Sequence, residues 1–280
     1  MYISLPSDAS MDLFPENTMS SFKVKLPNTI TLDRTKHVVG LTSIEFPHSF
    51  KNITNVYFKI YMTPVVVNDE RGLYRYETGL YRFPAVQRFS IRSGYYRNPQ
   101  ELVTEINDQI RQVVFPEDGT VLNGNQDCYF EYDERTEKLS FLTTEESQML
   151  FRIHMHWELY CKLGFALVKS ASPVVKSGDQ AQYVVDLGVG LSTIYMYCNI
   201  MESSRIVGSM YAPLLRVLPV EGQHGDVCHF EPKHMEYFPL RYDQISEISI
   251  QLCNDNAELL EFQSGKTVVG LHIKTDLFQH

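Results

Sequence analysis

The sequence is short of the features that mark most enzymes, membrane spans and nucleic-acid coats. No GxSxG or HExxH occurs, so the common nucleophile elbow and zinc-protease helix are missing. No apolar run approaches the length needed to cross a bilayer. Basic charge is not in excess: 25 Lys and Arg face 34 Asp and Glu, a formal net charge of −9. A whole protein of that sign does not coat phosphates, and direct nucleic-acid binding is not expected. Cysteine is sparse and odd in number, at Cys128, Cys161, Cys198, Cys228 and Cys253, with no CxxC pair. Buried free thiols in a reducing compartment are the economical reading. Met1–Pro6 lacks the charged and apolar regions of a signal peptide. The chain is therefore expected to be made in the cytoplasm or nucleus and not secreted.

Aromatic residues are what the sequence has in quantity: 17 Tyr and 16 Phe against one Trp. Tyr and Phe favour strands and subunit contacts. Ser21–Leu26 alternates polar and apolar, the mark of a strand with one wet face. Pro27-Asn28 should interrupt it. Val38–Phe46 reads as a second strand, closed by Pro47, and Ile53–Met62 as a third. Val86–Ile91 is a short one before Gly94. The character then changes. Asn98-Pro99-Gln100-Glu101 is a helix start, with Asn as cap and Pro at the first helical position. Leu102, Val103, Ile106, Ile110, Val113 and Val114 follow at helical spacing, with Pro116 and Gly119 ending the helix. Cys128–Tyr132 and Leu139–Leu142 predict a hairpin, and Glu158–Leu163 a short helix stopped by Gly164. Strands resume at Gln182–Leu187, Thr193–Ile200, Leu214–Leu218, Ile245–Leu252 and Val268–Lys274. The pattern predicts a mainly β chain: an antiparallel sandwich, barrel or jelly roll over residues 1–92 and 168–280, with a small α+β domain inserted at 93–167.

Residues that could carry chemistry were weighed against plainer readings. Ser264-Gly265-Lys266-Thr267 resembles the end of a phosphate loop, but Leu260 stands where another Gly is needed and a strand follows. It is read as a turn, as is Gly188-Val189-Gly190. His154, His156 and Cys161, or His224, Cys228, His229 and His234, could approach a metal, yet neither set has zinc-site spacing. No metal, cofactor or catalytic residue is assigned. Arg71, Arg75, Arg82, Arg88, Arg92 and Arg97 are interleaved with Tyr74, Tyr76, Tyr81, Phe83 and Phe89. They read as an exposed strand pair or an Arg/Tyr-rich subunit contact.

Several segments in order carry a resemblance: Leu5–Ser10 with Pro15–Thr18 and Ser21–Leu26; His37–His48; Gly94-Tyr95-Tyr96 leading to Ile106-Asn107; Leu163-Gly164-Phe165; Ile194–Ile200; Val207-Gly208; and Pro213–Val217. The series resembles the minor capsid (penton) proteins of Polinton/Maverick elements and of related adintovirus-like viruses and virophages. That resemblance implies a single jelly roll with an inserted domain. It also implies a homopentamer at the vertices of an icosahedral virion, beside a double-jelly-roll major capsid protein. The family brings no catalytic residues. Subunit contacts favour Tyr, Met and Arg, so Tyr74, Tyr81, Arg82, Phe83, Met210 and Tyr211 are the candidate interface. The alternative from composition is a β-sandwich head that binds a receptor or glycan.

Overall fold

The computed structural model describes residues 1–64, 66–68, 73–75, 88–112, 114–117, 120–123, 128–143, 149–167 and 173–276. In chain order the strands are β1 Tyr2–Pro6, β2 Ser21–Thr31, β3 His37–Pro47, β4 Tyr57–Pro64, β5 Val66–Asn68, β6 Leu73–Arg75 and β7 Arg88–Ser90. Helix α1 is Pro99–Arg111. Then come β8 Val114–Glu117, β9 Thr120–Asn123, β10 Cys128–Asp133, β11 Lys138–Thr143, β12 Met149–Met155, α2 Trp157–Lys162 and β13 Val174–Lys176. The last strands are β14 Thr193–Cys198, β15 Arg205–Val207, β16 Met210–Ala212, β17 Leu214–Pro219, β18 Val227–Phe230, β19 Tyr237–Pro239, β20 Gln244–Cys253 and β21 Val268–Thr275. Two compact units emerge: residues 1–51 with 190–280, and residues 52–189.

The first unit is a jelly roll by its strand order. One sheet runs β1-β21-β3-β18, with β19 also paired to β3, and the other runs β17-β14-β20-β2. Count the eight strands of these two paths along the chain. The first sheet takes the first, eighth, third and sixth; the second takes the fifth, fourth, seventh and second. That is the two-sheet order of the double Greek key. Every pairing within these sheets is antiparallel. Period-two patterning puts the apolar residues inside. Phe22, Val24 and Leu26 are buried while Lys23 and Lys25 are exposed, and Ile194, Met196 and Cys198 are buried along β14. Leu5, Ile44, Phe46, Leu271 and Ile273 from one sheet share a continuous core with Phe22, Ile248, Ile250 and Leu215 from the other.

Two local devices shape these sheets. Pro27-Asn28 does not end β2, as the sequence predicted. The strand continues, and its register against β20 shifts between Lys25 and Ile30, where the proline cannot donate to a ladder. Gly270 faces a register shift in β3, and a Cβ there would lie 2.4 Å from Thr42 Oγ1. Only glycine fits such an approach. The Ser264–Thr267 stretch is a turn, with Gly265 at φ +97 and β21 directly after it.

The second unit is larger than the 93–167 insert read from the sequence. β4 pairs with β12, β12 with β13, and β4 with β7, so residues on both sides of that range belong to one four-stranded sheet. Ile53–Met62 is a strand only from Tyr57 onward. Of Val86–Ile91, Arg88–Ser90 is strand. Helix α1 starts as expected but ends at Arg111, and Val114, read as helical, opens strand β8 instead; Asn98 Oδ1 accepts from the Glu101 N–H at 2.9 Å, and Leu102, Val103, Ile106 and Ile110 are buried. Asn107 locks the helix to the β10–β11 hairpin, donating to Phe130 O and accepting from its N–H, both at 2.8 Å.

Gln182–Leu187 is not a strand. Its N–H groups go to three separate places: Tyr183 to Gly164 O, Val185 to Glu137 O and Asp186 to Lys162 O. Val185 and Leu187 are buried in the unit's core. Alternating burial here comes from a loop strapped over that core, and a sheet ladder is not its cause. Gly164, just past α2, has φ +80, and a Cβ there would lie 2.3 Å from Tyr183 O. Gly178 has φ +88 with nothing within 4 Å. Gly178→Ala is expected to destabilise by about 1–2 kcal/mol from backbone strain alone. Gly164→Ala adds a backbone clash and is expected to cost clearly more. Urea unfolding of the two variants side by side checks the ranking.

Candidate interaction surfaces

The described part of the first unit carries one anchored apolar projection. Strands β15 and β16 form a hairpin around Gly208-Ser209, with Gly208 at φ +62, the left-handed region that favours glycine in a two-residue loop. Ile206 lies opposite Tyr211 across the hairpin. Ile206, Met210 and Tyr211 are 67%, 71% and 68% exposed. The base is held by charge and stacking. Arg205 and Arg216 both donate to the Glu236 carboxylate. The Arg205 guanidinium sits over the Phe238 ring at 4.5 Å, and Arg216 lies 5.8 Å from the Phe230 centroid. A rigid base under exposed Met and Tyr suits a contact surface, because little side-chain freedom remains to be lost there on binding.

Of the six interface candidates, the structure brings Met210 and Tyr211 together at this hairpin. Tyr74 has a described backbone in β6, and its side chain lies outside the described residues. Tyr81, Arg82 and Phe83 also lie outside them. The described members of the arginine series are engaged separately. Arg92 pairs with Glu105 through two hydrogen bonds, and Arg88 stacks on Tyr57 at 3.7 Å. The Arg75 side chain and all of Arg71 and Arg82 lie outside the described residues.

The histidine and cysteine candidates separate. His154 packs on Tyr61 at 4.5 Å, and His156 faces Tyr57 and Trp157. Among the described residues no group of three His, Cys, Asp or Glu is placed to hold a metal ion. None of the five cysteines is in a disulfide, and burial raises the Cys198 thiol to about 12, so it stays protonated. Among the described residues no helix is long and apolar enough to cross a membrane.

One buried cation escaped the sequence reading. Lys162, on α2, is fully buried; its Nζ donates to Val189 O at 2.6 Å and Leu187 O at 3.3 Å, with the Glu158 carboxylate at 3.4 Å. Burial lowers its pKa, and Glu158 opposes that shift. The lysine fastens the loop over the core. The available signal was a Glu–Lys pair four residues apart on a helix whose neighbours, Leu159, Cys161 and Leu163, are apolar.

With this geometry in hand, the chain was compared with known proteins. No protein-family model matches it, and no curated protein sequence matches it. It is similar to a solved structure. That structure is the selenomethionine-labelled mavirus penton protein, at 12% sequence identity, with 98% of this chain and 99% of that chain covered and a TM-score of 0.48.

The histidines make the fold acid-sensitive. His48 stacks on Phe50 at 4.5 Å, and burial first, then the neighbouring His224, push its pKa below 6.5. His154 and His272 are pushed the same way, by burial and then by nearby cations. The unfolded chain therefore takes up protons first as pH falls. The stability these neutral histidines contribute is complete above about pH 6.5 and is lost below it. The urea midpoint is expected to fall between about pH 7.5 and 5.5, and His48→Gln is expected to shallow that fall. A flat midpoint over this window would contradict the assignment.

Proposed function

We propose that this chain is a penton subunit, a minor capsid protein that closes the vertices of an icosahedral virion as a homopentamer. The jelly-roll strand order of the first unit is the observation that carries the reading. A jelly roll offers a rigid wedge with loops at both ends. Copies related by rotation close into a ring when one surface fits a different surface of the neighbour. The Ile206–Tyr211 hairpin supplies an exposed apolar surface of the right composition. The ordered sequence resemblance to Polinton/Maverick, adintovirus-like and virophage pentons points the same way. On this reading the protein has no catalytic role, and its partners are its own copies and a double-jelly-roll major capsid protein.

The competing reading is a receptor- or glycan-binding head, which would commonly be trimeric or monomeric. Sedimentation of the purified 32.4 kDa chain, alone and mixed with a cognate major capsid protein, separates the two. A species of about five subunits, alone or on mixing, supports the vertex. A stable trimer contradicts it. Met210→Ser with Tyr211→Ser is expected to abolish that species while moving subunit stability by no more than about 0.5 kcal/mol, since both side chains are exposed. Tyr81→Ala with Arg82→Ala is expected to weaken it as well. Unchanged oligomer size in both pairs would remove these residues from the interface.

A further inference from the structure

The four-stranded sheet of the second unit has two chemically opposite faces. Phe58, Ile60, Phe151, Ile153, Met155 and Val175 are buried on one face, and Phe89 stacks on Phe58 at 5.1 Å. Alternation sends the intervening residues to the other face. Among the nine outward positions described on these strands, four are Lys or Arg, a fifth is His154, and none is Asp or Glu. This happens in a chain whose net charge is −9. Charges of one sign, gathered against the overall balance on one exposed face, mark a surface for the opposite sign.

The register arranges them. Lys176 lies opposite Arg152, and Arg152 opposite Tyr61. In the next row His154 lies opposite Lys59, and Lys59 opposite Arg88. With strands about 4.8 Å apart and same-face residues about 6.6 Å apart, the cations form a regular grid. Arg88, Arg152 and Lys176 are exposed. The nearby Asp179 carboxylate is turned to the Lys176 backbone, accepting its N–H at 2.7 Å. At one end Tyr57, Lys59, Tyr61 and His154 line a shallow groove with His156 and Trp157.

The aromatic residues decide between two kinds of polyanion. Proteins that hold single-stranded nucleic acid leave ring faces open for bases to stack on. Here the Arg88 guanidinium covers a face of Tyr57 at 3.7 Å, and the His154 ring packs against Tyr61 at 4.5 Å. The face reads charge, and its rings serve as supports for its own side chains, Arg88 and His154. We propose that this sheet face binds a linear sulfated polysaccharide, with Lys59, Arg88, Arg152 and Lys176 pairing its sulfates. His154 fits the same picture: burial and then Lys59 and Arg152 hold its pKa down, so it is a neutral donor or acceptor between them. The inference stands whether or not the chain assembles into a vertex.

The test uses the full chain on immobilised heparin, with N-desulfated heparin and a single-stranded oligonucleotide as comparison probes. At about 0.15 M salt the chain is expected to be retained on heparin, and more tightly than on either other probe. Arg88→Gln, Arg152→Gln and Lys176→Gln together are expected to weaken heparin binding roughly tenfold or more, with an unchanged thermal melt. Removing three exposed cations of the first unit, Lys25→Gln, Lys36→Gln and Lys233→Gln, is expected to leave it unchanged. No retention of the native chain would overturn the proposal. So would equal losses in the two triple variants, or tighter binding to the oligonucleotide.

Discussion

The apolar contact between two antiparallel sheets is the constraint on which the first unit depends. Leu5, Ile44, Phe46 and Leu271 meet Phe22, Ile248, Ile250 and Leu215 in a single core. Burying such side chains stabilises by about 1.5–3 kcal/mol each, and it does so only if every strand keeps its alternation in phase. A one-residue slip in β2 would turn Phe22 and Val24 outward and bring Lys23 inside. Two of the three register irregularities fall where chemistry tolerates them, at Pro27-Asn28 and opposite Gly270; the third lies between Met196 and Tyr197. Function, on the reading advanced above, is a by-product of this rigidity. A sandwich that cannot flex can carry an exposed hairpin such as Ile206–Tyr211 as a fixed contact.

The second unit solves a similar problem with different parts. One face of its sheet, the α1 stripe and the β10–β11 hairpin bury Phe58, Ile106, Phe130 and Phe141 together. The loop that ends the unit has no ladder of its own. It is held by Lys162 from α2, by backbone bonds to Gly164 and Glu137, and by Val185 and Leu187 sunk into the core. A buried lysine is a costly anchor, tolerable because two carbonyls and Glu158 receive its protons. The sheet's other face carries Lys59, Arg88, Arg152 and Lys176.

Much of the architecture was legible because its signals are local. The Ser21–Leu26 alternation, the Asn98 cap, the hairpin at Cys128–Thr143 and the Gly164 stop each depend on residues within a turn or two of one another. The limits of the second unit were not legible. They rest on β4 meeting β12 across a long stretch of chain, and strand periodicity does not name its partner. Gln182–Leu187 misled for a related reason, since a strapped loop and a strand bury alternate residues alike. Of the interface candidates, only Met210 and Tyr211 can be placed as exposed neighbours. Of the basic face, only Arg88 was visible in the arginine series. Its other cations, Lys59, Arg152 and Lys176, come from strands that only pairing brings beside Arg88.

Strands β1 and β21, from opposite ends of the chain, pair in one sheet. Met1 and Ile273 exchange both backbone hydrogen bonds, at 2.7 and 2.9 Å, which makes Tyr2 and His272 a non-hydrogen-bonded pair, with their rings stacked at 4.3 Å. Such pairs bring Cα atoms to about 4.5 Å, within reach of a disulfide. The direct measurement is the non-reducing gel mobility of Tyr2→Cys with His272→Cys after mild oxidation, against each single variant. An intramolecular bond that closes nearly the whole chain into a ring is expected, giving a faster-migrating monomer and a raised melting temperature. A double variant that stays open, or links only between molecules, would contradict the jelly roll at its defining pair.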